Sequence, residues 1–329
     1  MNTIFNNAKI FISGGTGSWG QTLTRLLLQK YNVGEIICFS RNENQQVIMS
    51  RHFDNPKIKY IIGDVRDYDA VLKATRNVDY IFHLAAMKHV PLCEQMPLEA
   101  LKTNVDGTKN IIDAAIQNKV KKVIDVSSDK AVEPINLYGM SKAVGEKLII
   151  QANDISDYTK FVCIRGGNVM GSNGSVIPLF IDRIKRGVPI SITDDRMTRF
   201  FLTLEEAINL LFKAAENSIG GETFVMNMPA CYIKDLAEVL MDEYGKVDVT
   251  VSGMRPGEKL DEVLVSKHES MLTYNYDENY YVILPPSANG ALLDKYSNYQ
   301  SFDHIEFSSK TRLMNKKDIK DMLKKGKFI

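Results

Sequence analysis

The sequence predicts an α/β fold, a doubly wound parallel sheet followed by a smaller C-terminal lobe. First, short apolar runs at 8–13, 35–39, 57–62, 78–84 and 122–126 alternate with helical patterns at 21–29, 68–75, 108–117 and 141–153. Strand–helix alternation of this kind builds a parallel sheet with helices on both faces. Second, Gly14, Gly17 and Gly20 lie between the first strand and its helix. Third, hydroxyls and charges arrive where a strand stops, at Ser127-Ser128-Asp129-Lys130. That is the carboxyl edge of the sheet, where open α/β folds bind ligands.

The first strand runs straight into Gly14-Gly15-Thr16-Gly17-Ser18-Trp19-Gly20. Strand, glycine turn and helix together form the Rossmann-type context of a dinucleotide site. Gly14 permits the tight turn, Gly17 lets backbone approach a pyrophosphate at the helix N-terminus, and Gly20 permits close helix–strand packing. The second strand ends in Ser40-Arg41, where NAD sites usually carry an acid for the ribose 2′-hydroxyl. A Ser and an Arg suit a 2′-phosphate instead, so the expected cofactor is NADP, with NAD the lesser alternative. At the end of the third strand Asp64 is placed to accept from an adenine amino group, with Val65 beside it, while Asp67 reads as the cap of the next helix. Ala85-Ala86 close the fourth strand, and their small size lets a cofactor lie against backbone. Lys88 follows, open to either ligand or solvent.

Tyr138 and Lys142 stand four residues apart at the start of a helix and so point the same way. A Lys beside a phenol favours the phenolate and can also bind a ribose, which makes the Tyr usable as an acid or base near neutral pH.

The nucleotide domain is expected over residues 1–165, with some later segments returning to it, and the second lobe over 166–329. Gly166-Gly167-Asn168-Val169-Met170-Gly171-Ser172-Asn173 implies a backbone that approaches something closely. Arg199, in Met197-Thr198-Arg199-Phe200, and Arg255, in Arg255-Pro256-Gly257-Glu258-Lys259, read either as ordinary ion-pair partners or as a bidentate grip on a diphosphate. The Lys-rich end after 316 reads as a solvated helix.

Of the 329 residues, 44% are hydrophobic and 25% charged, and the net charge is +1. That balance gives no electrostatic support to a nucleic-acid or membrane-surface role. The four cysteines have no ligand spacing, which suits reduced, intracellular thiols. With no signal sequence and no spanning apolar run, a cytoplasmic protein without membrane insertion is expected.

Taken together, Gly14-x-x-Gly17-x-x-Gly20, Ser127, Tyr138 and Lys142 resemble the nucleotide-sugar branch of the extended short-chain dehydrogenase/reductases. Ala85-Ala86-Met87-Lys88-His89-Val90-Pro91, Ser128-Asp129-Lys130-Ala131, Pro134-Ile135-Asn136-Leu137-Tyr138-Gly139, Gly167-Asn168-Val169 and the two Arg motifs are similar to the UDP-N-acetylglucosamine 4,6-dehydratases. The nearest branch is the C5-inverting one of pseudaminic acid synthesis, and the likeness spans about residues 8 to 268. The Asp-Lys pair is its specific part, since sugar epimerases lack it and dTDP-glucose dehydratases carry Asp-Glu.

The resemblance implies a UDP-N-acetylglucosamine or related UDP-sugar substrate, recycled NADP and a homo-oligomer. It implies oxidation at C4 with Tyr138 as base and Lys142 supporting it, removal of the C5 proton by Lys130, and protonation of the leaving 6-hydroxyl by Asp129. By motif match Gly14, Thr16, Gly17, Ser18, Trp19, Gly20, Ser40, Arg41, Asp64, Val65, Ala85, Lys88, Tyr138, Lys142 and Val169 would hold the cofactor. Lys88, Asn168, Asn173, Arg199, Arg255 and Glu258 would hold the UDP-sugar. Three departures from the family pattern stand out: Gly166 for Tyr, Asn173 for Arg and Ser128 for Thr. Competing expectations are a C5-retaining dehydratase, a 4-epimerase, and a non-catalytic NADP-binding sensor.

Overall fold

The computed structural model describes residues 3–172, 174–288 and 290–329. Six strands of the first half, β1 (Lys9–Ser13), β2 (Glu35–Ser40), β3 (Ile58–Ile62), β4 (Tyr80–His83), β5 (Lys122–Ser128) and β6 (Lys160–Gly166), pair in parallel in the order β3-β2-β1-β4-β5-β6. Thr223–Met226 adds a further parallel strand beside β6. Tyr280–Ile283, Thr273–Asp277 and Gln300–Ser301 extend that edge antiparallel. The central sheet is therefore completed by the second half of the chain. The strand order reverses between β1 and β4, which opens a crevice at their carboxyl ends.

Alternation along the strands explains the unbroken apolar runs. On β1, Ile10 and Ile12 enter the core on one face of the sheet and Phe11 the core on the other. On β2, Cys38 and Phe39 divide in the same way. Helices cover both faces, so neither set of side chains meets water. Among these helices is Glu43–Phe53, capped by Asn42, which the sequence pattern did not announce. It buries only Gln46 and Met49, too narrow a stripe to produce a clear helical period.

The helix expected from residue 141 starts earlier, spanning Leu137–Gln151. The Asn136 side chain accepts from the Gly139 N–H at 2.8 Å and donates to the Gly257 carbonyl at 2.8 Å. This cap moves the helix start upstream and ties it to the second lobe. The inner face of the helix is polar, and each group finds a partner. Ser141 meets Asn104, Lys142 meets Asp125, and Glu146 meets Arg165, which also binds Glu269. Asn104 lies in a turn of π-helix, Lys102–Asp106, that continues into the helix Gly107–Gln117. Such bulges turn a side chain out of the ordinary helical register. Asn104 thereby clamps both backbone polar groups of Met87 as well as Ser141.

The C-terminal helix, Lys316–Lys325, is not solvated all round. Ile319 and Leu323 are fully buried against the helix Ile233–Tyr244. Alternating Lys and Asp hid two apolar positions one turn apart. No helix among the described residues is long and apolar enough to cross a membrane.

Replacing Asn136 with Ala removes a cap and an interlobe hydrogen bond together. Urea denaturation is expected to show a loss of about 2 kcal/mol with an unchanged m-value.

Candidate active site

A cleft of about 780 Å³ opens at the carboxyl ends of β1, β4, β5 and β6. One end is walled by Gly14, Thr16, Gly17, Ser18, Trp19, Ser40, Arg41, Asp64 and Val65, the other by Ala85, Lys88, Asp129, Lys130, Tyr138, Asn168 and Val169. Gly14 takes a left-handed backbone (φ +66°), and a Cβ on Gly20 would stand 2.3 Å from the Gly15 carbonyl oxygen. The turn and the close helix approach both need these glycines. Gly17 is the N-cap of the helix Ser18–Lys30, which aims that helix's free N–H groups at the cleft.

At the far end of β2, the Ser40 hydroxyl accepts from Gln46 Nε2. Asp64 is held by Arg66 at 2.6 Å and by Arg41 at 3.7 Å. Burial pushes the Asp64 carboxyl up, but its bonds to Arg66 outweigh this and the pKa is lowered. Arg66, which the sequence reading did not single out, thus neutralises Asp64 and leaves the largely exposed Arg41 guanidinium available at the cleft wall.

At the other end, β5 runs to Ser128 and passes into a short 3₁₀ turn, Asp129–Ala131. The turn buries Asp129 at 1% exposure. Asp129 Oδ1 accepts from the Ser128 hydroxyl at 2.7 Å and from Lys130 Nζ at 3.0 Å. A Cβ on Gly139 would lie 2.1 Å from the Lys130 carbonyl oxygen, so a glycine beside Tyr138 is what lets the helix press onto this turn. Burial raises the Tyr138 pKa, while Lys142, Lys130 and the Ser128 hydroxyl pull it down without cancelling the rise. Lys142 favours the phenolate, as the Tyr–Lys spacing implies, while burial opposes it.

Lys142 sits behind Tyr138 rather than on the cleft wall, 3% exposed, with Nζ 3.3 Å from Asp125 Oδ2. Burial opposes its charge, but Asp125 and Tyr138 outweigh burial and raise the pKa. Beneath them, His83 is buried between the Ser13 and Thr108 hydroxyls. Burial drives its pKa down to about 4, so the ring stays neutral.

Glu262 is the residue that the sequence pattern missed. It is 2% exposed, with Oε1 3.5 Å from Lys130 Nζ and 3.7 Å from Arg199 Nε. One signal was available: an acid inside an apolar strand entry, Glu262-Val263-Leu264-Val265, whose neighbours are all buried.

Other expected ligand residues fare differently. Asn168 lines the cleft, on a two-residue strand paired with Thr198–Leu202. Arg199 does not present a free fork for a diphosphate. Its guanidinium donates to the carbonyls of Thr198, Leu260 and Lys259, because these turn inward around it. Arg255 is exposed, 3.9 Å from Glu258, and neither lines the cleft. Asn173 lies outside the described residues. Gly166 leaves room for Trp19, whose ring would be 3.7 Å from a Cβ there.

With this geometry in view, comparison with known proteins is informative. A model of the polysaccharide biosynthesis protein family matches residues 10–284. The chain belongs to that family. A UDP-N-acetylglucosamine 4,6-dehydratase (inverting) of Campylobacter jejuni is 45% identical over 285 residues, covering 86% of this chain and 84% of that protein. A UDP-glucose 4-epimerase of Rickettsia akari is 46% identical over 272 residues, 81% of this chain and 80% of that protein. The X-ray structure of Pen from Bacillus thuringiensis matches with a TM-score of 0.91 at 36% identity, covering 99% of this chain and 100% of that one.

Lys142→Ala is expected to destabilise the fold by about 3–5 kcal/mol, because it strands the Asp125 carboxylate in the core. The double change Asp125→Ala, Lys142→Ala should recover most of that stability in denaturation without restoring turnover.

Proposed function

We propose that this chain is a UDP-N-acetylglucosamine 4,6-dehydratase that inverts C5, using bound NADP. The observation that carries the reading is the buried Asp129–Lys130 pair beside Tyr138 in a dinucleotide-shaped cleft. Its support is the similarity to the Campylobacter dehydratase.

The residues present fit a nicotinamide dinucleotide. Gly14, Gly17 and the N-terminal residue Ser18 of the first helix line the cleft, and the buried Ser127 hydroxyl there has no hydrogen-bond partner among the described residues. Thr16, Gly17, Ser18, Trp19 and Val65 would hold the pyrophosphate and adenosine, and Arg41 with Ser40 a 2′-phosphate. Bound there, the cofactor would take a hydride from C4 of the sugar and return it to C6. Lys88 and Asn168 are the residues placed to orient the sugar nucleotide.

Tyr138 takes the C4 hydroxyl proton, and Lys142 favours the phenolate that accepts it. A C4 ketone then makes the C5 proton acidic, since the charge left at C5 spreads onto the ketone oxygen. Lys130 is the base for that proton. Burial works against its charge, but Asp129 and Glu262 outweigh burial and raise its pKa, so it starts as an ammonium. Moving one proton from Lys130 Nζ to Asp129, 3.0 Å away, yields a neutral amine and a protonated carboxyl together. That single transfer makes both the base for C5 and the acid for the departing 6-hydroxyl. The C5 proton passes to Lys130, the C5–C6 double bond forms as C6–O breaks, and Asp129 releases the oxygen as water. C5 is then reprotonated from the opposite face by water, and Tyr138 returns to solvent the proton it took from C4, so that the net change is loss of one water.

The Rickettsia relative favours a second reading, 4-epimerisation. An epimerase needs no acid for a leaving hydroxyl, and the Asp129–Lys130 pair would then have no task. Proton NMR of the holoenzyme with UDP-N-acetylglucosamine in deuterated buffer separates the two. The expected result is a new C6 methyl signal with deuterium at C5 and ring couplings of the inverted sugar. Conversion to the galacto sugar without a methyl would establish the epimerase.

Arg41→Asp is expected to raise the Kd of NADP by about tenfold to a hundredfold, through loss of a charge-assisted contact, while NAD binding is kept. Equal weakening of both cofactors in a fluorescence titration would remove the 2′-phosphate assignment.

A further inference from the structure

Glu262 has the geometry of a working part. Its backbone N–H donates to Ser309 Oγ at 3.0 Å, and its carbonyl accepts from the Ser309 N–H at 2.8 Å. Ser309 Oγ is itself 2.5 Å from Thr198 Oγ1. A segment near the C-terminus therefore fixes the residue, just before the strand Val263–Val265. Its Oε1 lies between Lys130 Nζ and Arg199 Nε. Its Oε2 is buried without a hydrogen-bond partner among the described residues, and so is Asp129 Oδ2. A carboxylate removed from water in this way is costly unless its charge is matched. Here two carboxylates share one ammonium.

We propose that Glu262 is the third ionisable member of the acid–base centre, a positioning residue that fixes Lys130 and Arg199 and, through its charge, keeps a proton available to Asp129. The inference rests on the dehydration reading for its catalytic meaning, but the electrostatic coupling stands on the geometry. The charged groups around Glu262 are Lys130 and Asp129 on the 3₁₀ turn, Arg199 on the strand Thr198–Leu202, and Lys259 on its own loop, with Tyr138 beyond Lys130. Burial raises the Glu262 pKa; Lys130 pulls it down, Asp129 pushes it up, and Arg199 and Lys259 pull it down, leaving it raised.

The sign of the effect on its partners is fixed. The Glu262 charge favours the positive charge on Lys130, so Lys130 holds its proton more tightly when Glu262 is ionised. Replacing Glu262 with a neutral isostere lowers that proton affinity, and the limb of the pH–rate profile that Lys130 governs moves to lower pH.

The test uses the holoenzyme as wild type, Glu262→Gln and Glu262→Asp. Mass spectrometry follows acetylation of Lys130, which lines the cleft, by acetic anhydride, a reagent that takes only the neutral amine. The labelling rate at fixed pH is expected to rise about tenfold in Glu262→Gln and to stay near the wild-type value in Glu262→Asp. The pH profile of C6-methyl formation from UDP-N-acetylglucosamine should move to lower pH in Glu262→Gln. An unchanged labelling rate, with a uniform loss of turnover at every pH, would overturn the proposal and leave Glu262 a packing residue. The labelling measurement needs no turnover. A wild type that forms no C6 methyl would therefore overturn the dehydration reading, while the labelling rate still decides Glu262.

Discussion

The architecture of the site depends on one requirement: charge taken out of water at the end of β5 must be matched inside the protein. Asp125, Asp129, Lys142 and Glu262 are all nearly or fully inaccessible, and Lys130 is largely covered. Left alone, any one of them would lose its charge or pull the segment back to solvent. Each is instead held by an opposite charge at 3.0 to 3.7 Å, and those partners come from different parts of the chain. Site and fold therefore stabilise one another.

The pairing divides into two levels. Beneath the cleft, Asp125 and Lys142 form a pair behind Tyr138, beside a neutral His83 that holds Ser13. The Ser13 hydroxyl in turn accepts from the N–H groups of Leu84 and Ala85 and so shapes the backbone that meets a cofactor. At the cleft itself, Asp129, Lys130, Glu262 and Arg199 form a cluster with two negative and two positive groups. Both levels keep a buried carboxylate oxygen without a hydrogen-bond partner among the described residues, Asp125 Oδ1 below and Asp129 Oδ2 and Glu262 Oε2 at the cleft.

Arg199 illustrates how burial changes a reading. An arginine in an apolar stretch of the second lobe looks like a phosphate ligand, because a guanidinium fork fits a diphosphate. In the folded chain that fork is spent on three backbone carbonyls, and its remaining edge faces Glu262. It thereby holds the loop carrying Lys259 and Leu260 against the Asp129, Lys130 and Glu262 cluster.

Local pattern was enough for much of this protein. Alternating apolar strands and helices, a glycine turn after the first strand, and polar residues at a strand end each act over a few residues. They announced the parallel sheet, the glycine turn at the cleft and the strand end where Asp129, Lys130 and Tyr138 meet it. Legibility failed where a residue's role depends on a distant partner. Helix Glu43–Phe53 was hidden by a narrow buried stripe, and the buried face of the terminal helix by charges flanking Ile319 and Leu323. Glu262 lies more than a hundred residues beyond Lys130, and nothing near it in sequence reveals a buried ammonium and guanidinium. Whether a charged side chain is a ligand, a counter-charge or a clamp is set by what surrounds it in space. Only the tertiary structure assembles those surroundings, because electrostatic matching acts across distance and not along the chain.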